Sequence, residues 1–399
     1  MVSIKGKEKI TIFNSYLLTM LFFMVAFSVS ATTILTILIL FGWVLIADFK
    51  ANWTELKNNT LVHAVILFFC LHLFGLLWSD DLNWGMHVLL KEWKLYMIPI
   101  FMLYTREEHI EHYIFSFILA MTISEFTSYG IVFEIIPPFL HATLDNPLPF
   151  MGHIGYNPLL AIAIYLLANN IIFNHDLSKI KRAFYALSLA TMTINMFITG
   201  GRSGQVMFFV AIFILFFQYH KGKVIKPAIF GLIVALSIFV VAYSVGDLFK
   251  QRFDMMVTVI FDYENNKNTS TGQRIAYTIN SAEIIAENPI FGVGTGDLPK
   301  EYEKVNQKNT PELPSTTNPH NMYTMEMVQF GVFGLLILLW IFYVQIKYAL
   351  QNNNRLLAQF GVALPVLYFV INFGESYLYG HTTALLFAMF SSFLYKDYS

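Results

Sequence analysis

Residues 318–347 read NPHNMYTMEMVQFGVFGLLILLWIFYVQIK, and the fold is decided at the boundary inside that stretch. Upstream lies one long polar segment, Asp247 to His320. Downstream, residues 322–346 form an apolar run, and about 20 such residues cross a bilayer as a helix. Similar runs fill most of the rest of the chain. By that criterion about twelve spans are expected, near 12–30, 32–48, 61–78, 87–104, 110–130, 156–174, 184–200, 203–219, 226–246, 322–346, 356–373 and 380–395. The third to fifth carry His72, Lys91, Glu92, Lys94 and Glu125 and are the least apolar.

Composition agrees. The chain is 56% hydrophobic and 13% charged, against about 25% charged residues in soluble domains. The expected class is an all-α polytopic membrane protein. Residues 1–246 hold spans one to nine, 247–320 a large helical outer loop, and 321–399 spans ten to twelve. Lys50, Lys57, Arg106, Lys179, Lys181, Arg182, Lys221, Lys223, Lys226, Lys347 and Arg355 fall on one side, with Lys5, Lys7, Lys9 and Lys396. The positive-inside rule makes that side cytoplasmic, with both termini, and places 247–320 outside. Ser28-Val29-Ser30 resembles a leader-cleavage site, but a second apolar segment follows at once, so an uncleaved first span is expected.

Several chemistries are disfavoured. A net charge of −1 argues against a nucleic-acid partner. Cys70 is the single cysteine, so no internal disulfide or cysteine zinc site is expected. No phosphate-loop signature for ATP and no His-Glu-x-x-His occurs. Asp80-Asp81 lacks the spacing of a metal-holding carboxylate pair. The expected reaction uses neither metal nor cofactor.

The polar segment and one tight turn hold the candidate site residues. Ser270-Thr271-Gly272-Gln273 supplies capping residues before Ile275, Ile279, Ala282 and Ile285, which recur at helical spacing. Arg274 is then expected in the first turn, as an anion ligand or as a surface arginine. Phe291-Gly292-Val293-Gly294-Thr295-Gly296-Asp297 reads as an anion nest or, preferably, as a tight turn back to the membrane. The segment from Pro299 to Asn309 reads as a solvated polar helix. His320, before a span, is either a neutral base or a cap. Arg202, in Thr199-Gly200-Gly201-Arg202-Ser203-Gly204, stands away from the cytoplasmic basic residues, and its planar guanidinium suits phosphate. Lys91 and Lys94 either add positive potential beside Arg202 or pair with Glu92 and Glu125. Residues 131–155, Pro-rich with His141 and His153, read as a stiff connector.

In this order the motifs resemble the O-antigen ligase/polymerase superfamily of bacterial envelope glycosyltransferases. The matching residues are Gly201-Arg202-Ser203-Gly204, then Arg274-Ile275-Ala276-Tyr277, then Asn288-Pro289-Ile290-Phe291-Gly292-Val293-Gly294-Thr295-Gly296. Pro319-His320-Asn321-Met322-Tyr323 and Gln329-Phe330-Gly331-Val332-Phe333-Gly334 complete the set, so the resemblance covers roughly 195–345. It implies metal-independent, inverting glycosyl transfer on the periplasmic face of the bacterial inner membrane. The donor would be a glycan on undecaprenyl diphosphate and the acceptor a sugar hydroxyl of lipid A–core. Arg202 and Arg274 would hold the diphosphate and His320 would be the base. Tyr277, Gly294, Asn321 and Lys94 join as substrate-binding candidates; where the family commonly shows a longer acidic or aromatic residue after His-Asn-x-Tyr, Thr324-Met325-Glu326 follows here, so no role is carried over to Glu326. With no Lys or Arg in 131–155, the ligase branch is favoured over a polymerase. A protein oligosaccharyltransferase and, in a different class, a lipid-linked glycan transporter are the alternatives.

Overall fold

A computed structural model describes residues 3–220 and 223–398. All regular elements among the described residues are helical, so the all-α expectation holds. In chain order they are α1 (Ile4–Met24), α2 (Val29–Ile46), α3 (Phe49–Leu56), α4 (Thr60–Gly75), α5 (Leu82–Glu92), α6 (Ile98–Tyr104), α7 (Ile110–Val132), α8 (His153–Phe173) and α9 (Lys179–Ile198). They continue as α10 (Arg202–Tyr219), α11 (Ile225–Val245), α12 (Asp247–Phe261), α13 (Ser270–Glu287), α14 (Leu298–Asn309), α15 (Met322–Gln351), α16 (Arg355–Ile371) and α17 (His381–Leu394).

Seven of these, among the described residues, are long and apolar enough to cross a membrane: α2, α4 with the turn after it, α7, α8, α10, α11 and α15. The other expected spans fall short for physical reasons. α1 and α9 open on polar turns (Lys5, Lys7, Glu8 and Lys9; Lys179, Lys181 and Arg182) that lower their hydropathy. α6, α16 and α17 are apolar but short. The stretch 87–104 is not one helix: α5 ends at Glu92, a single tight turn follows, and α6 begins at Ile98 with Pro99 in its first turn. Lys91, Glu92 and Lys94 sit at that break, which explains how three charged residues survive near a bilayer.

α8 and α17 are buried along nearly their whole length and form the core of the bundle. α8 packs on α10, α9 and α7, α10 and α15 both pack on α16, and α15 packs on α4. Small residues allow the closest approach. A side chain at Gly201 or Gly204 would overlap Asn157 of α8.

The glycine run is a turn, and its partner is a break in a membrane helix. Gly331 interrupts α15 with φ 60 and ψ −145. The break frees two carbonyls: Val328 accepts from the Val293 N–H and Gln329 from the Gly294 N–H, each at 2.9 Å. Val332 N–H returns a bond to the Pro289 carbonyl at 2.9 Å. Below, Thr295 Oγ1 donates to the His72 carbonyl at 2.7 Å. Asp297 accepts from the Asp80 and Asp81 N–H groups at 2.8 Å each. The loop is thereby bolted to α4, α5 and α15. A Cβ at Gly331 would overlap the Pro289 and Ile290 carbonyls, and its backbone conformation is almost confined to glycine, costing about 1–3 kcal/mol elsewhere. Gly331→Ala is therefore expected to lower the thermal midpoint of the detergent-solubilised protein; an unchanged midpoint would contradict this packing.

α12, α13 and α14 cover one end of the bundle. α14 is less solvated than its polarity suggested. Its Leu298, Tyr302, Val305 and Asn306 are buried, and Asn280 of α13 donates to Tyr302 and Thr310.

Candidate active site

Two adjoining cavities hold the candidate residues, and α12 and α13 line the first. The first, about 510 Å³, is lined by Arg202, Arg252 and Arg274 together with His153, Gly200 and Tyr377, and among the described residues by no carboxylate. Gly201 caps α10 at its start, so Arg202 stands at the head of that helix and donates to Thr271 Oγ1 at 2.6 Å. Arg252 comes from α12 and donates to the Gly200 carbonyl at 2.8 Å. Neither has a carboxylate partner among the described residues. Arg274 donates to the Gly374 carbonyl at 2.6 Å and to Glu375 at 3.2 Å. Three guanidiniums and one paired acid leave this chamber strongly positive. A planar donor fork matches phosphate oxygens in pairs.

The position of Arg274 differs from expectation. Thr269 is the cap, accepting from the Gly272 N–H, so Arg274 falls in the second turn of α13. The helix-end dipole acts mainly over the first turn. The guanidinium itself, aimed at the loop between α16 and α17, is what brings charge to the cavity.

The second cavity, about 780 Å³, is lined by His320, Glu375, Asn318, Lys91, Lys94 and His381 among others. It shares His153, Ile154 and Tyr377 with the first, so the two adjoin. Burial pushes the Tyr377 hydroxyl up to about 12, so the residue between the chambers is a neutral phenol.

His320 is not inside a helix. Asn321 caps α15, accepting from the Thr324 N–H, and His320 precedes it with φ 55. Asn318 Oδ1 accepts the His320 N–H at 2.9 Å and fixes this left-handed turn. The imidazole stacks on Tyr277, with centroids 5.9 Å apart and planes 20° apart. Its Nδ1 lies 2.6 Å from Glu375 Oε2. A carboxylate only accepts, so Nδ1–H donates, and in the neutral imidazole Nε2 carries the lone pair. This is the carboxylate–histidine arrangement that orients a general base.

Glu375 organises the centre. Oε2 accepts from His320 and Arg274, and Oε1 from Asn318 at 2.9 Å and from the Ser376 N–H at 3.0 Å. Burial pushes its carboxyl up. The hydrogen bond and charge of His320, the Ser376 N–H and the Arg274 charge together outweigh burial and hold it below the usual carboxylate range. A depressed pKa contributes stability at pH values above the unfolded value, about 4.3, and that contribution is lost as pH falls through the folded value. The midpoint of the wild-type protein should therefore drop relative to Glu375→Gln below about pH 4.5. Parallel pH curves for the two would rule out an ionised Glu375 as a stabilising group.

The remaining expected site residues divide. Lys94 is buried and lines the histidine chamber, not the arginine one. Neither lysine takes the expected acidic partners. Glu92 pairs with His72, Glu125 accepts from Thr191, and Lys91 lies 4.7 Å from the Tyr379 ring centre. Gly294 lines neither chamber, because its N–H is committed to Gln329 and it packs on Gly75 and Ser79. Asn321 acts as the cap of α15 and lines neither. Glu326 is fully buried away from both. Arg252 and Glu375 are the two residues that sequence reasoning passed over. A lone glutamate in the six residues 374–379 between the last two expected spans, and an arginine on the amphipathic α12, were the available signals.

An apolar groove of about 730 Å³ runs along α9 and α11 from the head of α12. Its Leu248 also lines the arginine cavity.

Comparison with known proteins places part of this architecture. An uncharacterized protein of Haemophilus influenzae (strain Rd) is 31% identical over 179 residues, a match spanning 43% of this chain and 44% of that protein. The chain thus matches less than half the length of this curated relative. The family model described as O-antigen ligase matches residues 187–339, which include Arg202, Arg252, Arg274 and His320. Over those residues the chain is similar to the O-antigen ligase family.

Proposed function

We propose that the protein is a glycosyltransferase that moves a glycan from undecaprenyl diphosphate to a sugar hydroxyl of lipid A–core, at the periplasmic face of a bacterial inner membrane. The observation that carries this reading is the contiguity of three chambers of different chemistry. An apolar groove meets an arginine cavity at Leu248, and that cavity meets the His320–Glu375 chamber at His153, Ile154 and Tyr377. A polyprenyl diphosphate glycan has the same sequence of properties: apolar tail, dianionic headgroup, sugar.

On this reading the prenyl chain lies between α9 and α11 and the diphosphate meets Arg202, Arg252 and Arg274. The anomeric carbon faces His320. An acceptor hydroxyl gives its proton to His320 Nε2 as its oxygen attacks the anomeric carbon. The carbon–oxygen bond to phosphate breaks, and undecaprenyl diphosphate leaves with the bonding pair. Guanidinium groups stabilise that growing charge. Glu375 keeps the imidazole in the accepting tautomer and stabilises the imidazolium that forms. A single displacement inverts the anomeric centre. The leaving diphosphate supplies the driving force, so no nucleotide enters the scheme. Twelve spans, both termini cytoplasmic and residues 247–320 outside complete the proposed topology.

The test is the lipopolysaccharide gel profile of a deletion strain, with its lipid-linked glycan pool. Loss of all long glycan from lipid A–core, with long glycan accumulating on undecaprenyl diphosphate, is expected. A core capped by one repeat would instead identify a polymerase. An unchanged profile would overturn the reading in favour of protein glycosylation or transport.

A further inference from the structure

Beneath the glycine loop, His72 of α4, Glu92 of α5 and Glu326 of α15 converge with no exposed surface at all and line neither chamber. We propose that these three side chains hold a divalent transition-metal cation that fastens α4, α5 and α15 together. The proposal does not rest on the glycosyl-transfer reading.

The atoms are placed for it. His72 Nε2 lies 2.8 Å from Glu92 Oε2 and 3.9 Å from Glu326 Oε1, and one ligand atom from each residue falls within 4.8 Å of the others. Ligands about 2.0–2.1 Å from a tetrahedral zinc ion are roughly 3.3 Å apart, between the two measured separations. His72 Nδ1 lies 2.9 Å from the Phe68 carbonyl, so Nδ1–H donates there and Nε2 turns its lone pair inward. A metal-binding histidine is commonly oriented in this way by a backbone carbonyl.

The charges also call for a cation. Neither carboxylate pairs with Lys or Arg among the described residues. Among the described residues, neither oxygen of Glu326 nor Glu92 Oε1 has a hydrogen-bond partner, although both residues are fully buried. Unpaired buried carboxylate oxygens are expensive. A divalent ion with two carboxylates and a neutral imidazole sums to zero charge and gives those oxygens a partner. A protonated cluster also reaches neutrality but leaves the Glu326 oxygens without one. One imidazole with two carboxylates favours zinc or manganese over the all-oxygen sites of calcium and magnesium.

The position suggests what the ion would do. The carbonyl of His72 receives the Thr295 hydroxyl and Phe330 packs on the His72 ring at 4.5 Å, so the cluster forms the floor under the broken part of α15.

The test uses the full-length protein in nanodiscs, stripped with a chelator, equilibrated with zinc and desalted. Metal per chain and thermal midpoint are then measured. The wild type and Glu375→Gln, which lies outside the cluster, should retain close to one zinc per chain and gain thermal stability on loading. Glu92→Gln and Glu326→Gln, nearly isosteric changes, should retain at least ~tenfold less and gain none. No zinc on the wild type above the chelator-treated blank would overturn the proposal, whatever the variants do. Equal retention by Glu326→Gln and wild type would overturn it as well.

Discussion

Replacing His320 by alanine is expected to lower glycosyl transfer by about 10²–10⁴-fold, the range typical of a removed general base. Donor binding should change little, because the arginines lie in the adjoining chamber and none of them bonds to His320. The loss should therefore fall on turnover and not on apparent donor affinity. Glu375→Gln should fall short of that loss. An amide still accepts the Nδ1–H bond from His320, but it no longer offsets the charge of the imidazolium. A His320→Ala variant with near-normal turnover would remove the base assignment.

Arg274→Ala has the next largest expected effect, about 10²–10³-fold, comparable to removing one preorganised stabiliser of transition-state charge. Two losses combine. One guanidinium leaves the cavity facing the proposed diphosphate, and Glu375 and the Gly374 carbonyl lose their donor. Arg274→Lys should recover little, since one ammonium cannot serve both acceptors in the same plane. Arg202→Ala should resemble the first loss without the second, because Arg202 contacts Thr271 and not Glu375. Donor-concentration series on both variants would separate these terms. Equal behaviour of Arg274→Lys and wild type would mean that charge alone, without fork geometry, is what the site needs.

Much of this molecule can be read from residue order. Apolar runs of membrane length dictate helices because unpaired backbone groups are intolerable in a bilayer, and α2, α7, α8, α10, α11 and α15 lie within a few residues of the expected spans. The run at 87–104 misled because hydropathy averages over the break that Trp93 to Met97 introduce. Arg202 stands out as an arginine away from the other basic residues, Arg274 by the capping pattern of its helix and His320 by its place before a span. Their assembly was not legible. Arg274 meets Gly374 across 100 residues of chain and His320 meets Glu375 across 55. Nothing local to Glu375 marks it as the acceptor of four hydrogen bonds. The glycine run shows the same limit. Its spacing fits an anion nest as well as a turn, and only the break at Gly331 supplies the carbonyls that take up its N–H groups.

The most direct test of the central claim is transfer by the purified protein in nanodiscs, supplied with an undecaprenyl-diphosphate glycan and lipid A–core, without nucleotide. The expected result is a glycan–core product of inverted anomeric configuration, with undecaprenyl diphosphate released in equal amount, and neither from His320→Ala. Product formed with retained configuration, or formed equally by His320→Ala, would contradict it.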